Sequence, residues 1–206
     1  MKTENRVFGR LLPDEERKLR EFLDEHAFLF DDMLFRPGSC TYNAAVLTYE
    51  DGVTDDEFYL PEALLYFSFI YFDVSVEHLE DCYGYYNSEE QKLVIDPDHF
   101  KESTILHEMI HLHEDILLEE APYYRDCVFF ALYKSLQKNI PDLDEILEEY
   151  SHLSIMMRSY GTASAGLHSV VFLLKSFQID IHYSWKLGTT FGYGQDEIFG
   201  QYQYTK

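Results

Sequence analysis

The stretch "CYGYYNSEEQKLVIDPDHFKESTILHEMIHLHEDILLEEAP", residues 82–122, constrains the fold more than any other part of the chain. "YGYYN" and "KLVID" are short apolar runs around the polar turn "SEEQ", the pattern of a β-hairpin. Pro97 closes the second strand, because a proline has no N–H for the ladder. Leu106, Ile110, Leu112, Ile116 and Leu117 then return at helical spacing. Pro122 ends that helix, since the residue before a proline is pushed out of the helical region. A hairpin running straight into an amphipathic helix predicts an α+β fold.

The rest of the chain is read around this centre. Pro13-Asp14-Glu15 begins a helix carrying Leu19, Phe22, Leu23, His26 and Phe30, and "RPGS" at 36–39 breaks it. "CTYNAAVLTYEDG" reads as a strand ending at the Asp51-Gly52 turn. In residues 61–81 the Pro61-Glu62-Ala63 helix start competes with an aromatic and β-branched run, and the reading favours a buried helix. Residues 123–138 and "DLDEILEEYSHLSIMMR" are two further helices, and "FQIDIHYSWKLGTTFGYG" is irregular or stranded. With 206 residues, one domain over 1–206 is the expectation.

Charge and cysteines narrow the function. The chain has 16 Lys and Arg against 38 Asp and Glu, a formal charge of −22 at pH 7. Such a surface repels phosphate backbones and anionic lipid, so no nucleic-acid or membrane partner is expected. A basic peptide or protein partner suits it better. The apolar runs at 63–72 and 168–177 are about half the length of a membrane span. Cys40, Cys82 and Cys127 are odd in number and contain no CxxC pair, which fits reduced thiols in the cytoplasm. The N-terminus lacks the apolar core of a signal peptide.

Within the central helix, "HEMIH" at 107–111 has the residue types of metal-assisted hydrolysis. A helical residue advances about 100° and about 1.5 Å, so His107 and His111 share a face one turn apart and their imidazoles can converge on one ion. Neutral imidazole suits Zn²⁺, with Mn²⁺, Fe²⁺ or Co²⁺ as conceivable substitutes, and a catalytic site needs three protein ligands. Glu108 lies beside the pair, where it can take a proton from the activated water and pass it to a leaving amine. The bland alternative is a polar seam on an acidic helix.

Glu114 is placed to orient His111 rather than to ligate. Glu119 and Glu120 stand at the helix end, and Asp126 is the acid of the next helix; Glu120 and Asp126 are the candidates for third ligand. His113 falls about 200° round the helix from His111, away from the metal face. His152 and His168 could bind metal or steady an oxyanion, although such histidines are more often structural. Tyr85 and Tyr86 on the hairpin could meet substrate.

The hairpin and "ILHEMIH" together resemble the core of SprT-like zinc metallopeptidases over residues 82–118. The resemblance implies a minimal zincin-like fold, a Zn²⁺ cofactor, His107 and His111 as ligands and Glu108 as general base. It also implies that the hairpin strand borders the cleft and pairs with an extended peptide. "EAPYY" stands where the family has a segment like "HGPEF", which puts Glu120 at the family's third histidine. The basic regions of the family's DNA–protein crosslink proteases are missing. The function expected is a zinc-dependent peptidase-like hydrolase; the alternative is a zincin-derived regulatory or interaction protein with little or no catalysis.

Overall fold

The computed structural model describes residues 6–7, 10–11, 13–30, 41–43, 57–59, 72–119, 122–159, 168–192 and 194–206. For 6–11, 41–43, 57–59, 116–119, 122–127 and 152–159 it describes the backbone alone. The described elements are strands β1 (Arg6–Val7), β2 (Arg10–Leu11), β3 (Thr41–Asn43), β4 (Glu57–Tyr59), β5 (Asp73–Val76), β6 (Gly84–Asn87) and β7 (Lys92–Ile95). The helices are α1 (Asp14–His26), α2 (Glu102–Glu119), α3 (Pro122–Gln137), α4 (Leu143–Ser159), α5 (Val170–Tyr183) and α6 (Gln195–Phe199). The fold is α+β: helices with a small mixed sheet of order β5-β7-β6. No described helix is long and apolar enough to cross a membrane. The chain divides into two compact units, Met1–Thr41 with Tyr59–Ile116, and Tyr42–Phe58 with Leu117–Lys206.

In the first unit the expected hairpin forms. β6 pairs antiparallel with β7, with Tyr86 opposite Leu93 and Gly84 opposite Ile95. β7 is central, so Leu93, Val94 and Ile95 are all fully buried and the strand reads as a continuous apolar run. β5 lies on its other side, parallel, Val74 opposite Leu93. This corrects the expectation of a helix across 61–81: residues 73–76 are a strand, and residues 61–71 fall outside the described residues. Tertiary pairing decides such a short run, and β-branched Val74 and Val76 fit a pleated surface beside β7. α1 packs on β5 through buried Leu19 and Leu23. Arg20 donates to the carbonyl of Phe72 and sits 4.7 Å above its ring.

In the second unit α5 packs on α3. From Val171 to Phe177 every residue of α5 is buried, Lys175 and Ser176 among them. The Ser169 side chain caps it, accepting from the Phe172 N–H at 3.1 Å. α5 runs to Tyr183, so "FQIDIHY" is helical, not irregular or stranded. The alternation Ile-Asp-Ile-His imitates a strand locally, yet it continues a helix whose cap lies eight residues before Phe177. Beyond α5, a Cβ on Gly188 (φ 91°) would come within 2.6 Å of the Gln195 backbone, so only glycine serves there.

Candidate metal centre

α2 brings the motif to a dry surface. Leu106, Met109 and Ile110 are fully buried, and they draw His107 (6% exposed) and Glu108 (5% exposed) inward with them. The His107 and His111 rings stand 5.0 Å apart, edge to face at 76°. Burial, and then the neighbouring His107, push the His111 imidazole down to about 4. It is therefore neutral near pH 7, the form that can offer a lone pair to a metal.

The hairpin lies directly on Glu108. A Cβ at Gly84 would sit 2.9 Å from Ile95 Cδ1, 3.0 Å from the Val94 carbonyl and 3.1 Å from Glu108 Cγ. The Tyr86 N–H donates to the Glu108 carboxylate, while the Tyr86 hydroxyl donates to Asp115 Oδ2 at 3.0 Å, one helical turn past His111. Burial nevertheless dominates and pushes the Glu108 carboxyl up to about 8. Replacing Gly84 with alanine forces either the sheet or Glu108 to shift. We expect Gly84→Ala to destabilise the protein by about 1–3 kcal/mol, read from its denaturant midpoint.

Of the other candidates, His113 is 2% exposed and packs edge-on against Phe30, 5.7 Å between centroids, in keeping with its place off the metal face. Glu114 is half-buried and Tyr85 exposed. Glu119 has only its backbone described, Glu120 falls outside the described residues, and so do the side chains of Asp126 and His152. His168 stands just before the Ser169 cap of α5. Its ring packs 4.0 Å from Phe172 and 4.9 Å from Phe191, and its carbonyl accepts from the Tyr150 hydroxyl at 2.5 Å.

His107 and His111, their rings 5.0 Å apart on one face of α2, offer two imidazole donors of the kind a zinc-type ion takes. Set beside known proteins, the chain matches no family model, no curated protein and no solved structure, so this site is read from its own residues.

Proposed function

We propose that the chain is a zinc-dependent metallopeptidase, a divergent relative of the SprT-like family with a zincin-like packing of hairpin on motif helix. The observation that carries the reading is a buried glutamate between two histidines whose rings stand 5.0 Å apart on one helix. His107 and His111 would hold the ion, with Glu120 or Asp126 as the third ligand. A zinc ion so held supplies a Lewis acid that brings a bound water to a pKa of about 7 and polarises a carbonyl.

The protein's own groups do the rest. His111, kept neutral by burial, has no proton to lose before it ligates. Glu108, fixed by the Tyr86 N–H, takes the water's proton and delivers it to the leaving amine. With burial alone Glu108 is largely protonated near pH 7; a nearby cation favours its ionised form, as a base requires. Among the described residues β6 is an edge strand of its sheet, and its outer edge is the surface on which an extended peptide would align. The acidic composition favours a basic peptide.

The test is cleavage of a mixture of basic extended peptides by zinc-loaded protein, followed by mass spectrometry. Glu108→Gln should keep its zinc and lose activity by on the order of 10²–10⁴-fold, the contribution of a positioned general base. No cleavage by the wild type, or equal cleavage by Glu108→Gln, would sink the reading.

A further inference from the structure

We propose a second cation site, for one divalent ion of the zinc class, formed by His78, Asp96 and Asp98 on the approach to α2. His78 follows β5, Asp96 follows β7, and Asp98 lies in the 3-10 turn Pro97–His99 that leads into the helix. Their ligand atoms lie within 4.8 Å of one another. His78 Nδ1 is 3.9 Å from Asp96 Oδ1 and 3.6 Å from Asp98 Oδ2. These separations are too long for hydrogen bonds. They are close to the roughly 3.4 Å that separates two ligands, each about 2.1 Å from one tetrahedral ion.

Asp96 is the fixed member. It is only 4% exposed, its Oδ1 accepts from the Asp98 N–H at 2.8 Å, and its Oδ2 accepts from the Leu79 N–H at 3.3 Å. Each oxygen, with one backbone donor, keeps a lone pair for a metal. A separate observation points the same way. His99 Nδ1 is buried without a hydrogen-bond partner and faces Asp96 Oδ2 at 3.7 Å, while its ring is held by stacking on Tyr83 at 3.8 Å. A second imidazole is thus fixed beside the carboxylate with nothing to bond. An imidazole beside two carboxylates favours zinc-class ions over Ca²⁺ or Mg²⁺, which prefer all-oxygen sites. An ion here would tie the segment after β5 to the turn before α2. That would brace the start of the helix that carries His107.

The site is tested apart from the first one. In a His107→Ala/His111→Ala protein, we expect zinc titration to show one saturable equivalent per chain. Adding His78→Gln or Asp98→Asn should weaken it by more than about a hundredfold, beyond what loss of a supporting residue does. His78 and Asp98 are 78% and 76% exposed, so neither change threatens the fold. No saturable zinc in the double variant, or zinc binding that both added substitutions leave unchanged, overturns the proposal and makes the cluster a set of His–Asp ion pairs. If the double variant does not fold, the comparison moves to the wild-type background. There, an unchanged stoichiometry in His78→Gln overturns the proposal equally.

Discussion

Replacing His107 with alanine is expected to strip the protein of zinc at the first site. Two histidines one turn apart on a helix make a weak chelate, and a third protein ligand is what turns such a pair into a site that survives dialysis. Loss of a group that merely supports a ligand costs 10–100-fold in metal affinity, so loss of a ligand should exceed about 100-fold. His107 is also buried, so alanine leaves a gap. His107→Gln, closer in volume, separates lost ligation from lost packing. The measurement is zinc per chain by elemental analysis after dialysis against a weak chelator, with circular dichroism to check the fold. The comparison is made with His78→Gln in the background, so that the second site adds nothing. Zinc retained without His107 would overturn the first site, whereas zinc lost in Glu120→Ala would make Glu120 the third ligand, and loss in Asp126→Ala would give that place to Asp126.

His107 and the acids beyond α2 differ in what a sequence can say of them. His107, Glu108 and His111 were legible because the period of one helix sets their geometry, and that helix follows a strand pattern closed by Pro97. The hairpin was legible for the same reason, a period of two on each side of a polar turn. β5 was not, because its pairing with β7 is parallel and joins segments some twenty residues apart without a turn between them to set the register. The end of α5 was hidden because Ile179 and Ile181 alternate with polar residues as in a strand; burial of Phe177, Ile179 and Asp180 against the second unit's own core decided for helix.

Replacing Asp180 with alanine should be the most damaging single change in the second unit, and its effect should reach His168. Asp180 is fully buried on α5. Its Oδ1 accepts from the Thr190 N–H at 2.9 Å and the Thr190 hydroxyl at 2.6 Å, and its Oδ2 accepts from the Gly188 N–H at 2.8 Å. One carboxylate thereby folds the turn after α5 back onto the helix. Alanine would leave three buried donors without an acceptor, at about 1–3 kcal/mol each less what water recovers, so a loss on the order of 4 kcal/mol is expected in the denaturant midpoint. Burial raises this carboxyl from 3.8 to about 7 despite its donors. The folded state therefore holds the proton more tightly than the unfolded one. The wild type should lose stability as pH rises from about 4 to about 7, a slope that Asp180→Ala should lack. The residue after Thr190 is Phe191, whose ring packs edge-on against His168 at 4.9 Å and against Phe172 at 5.5 Å. Releasing the turn frees Phe191, and with it one wall of the His168 ring. An Asp180→Ala protein with wild-type melting would show that the turn holds itself.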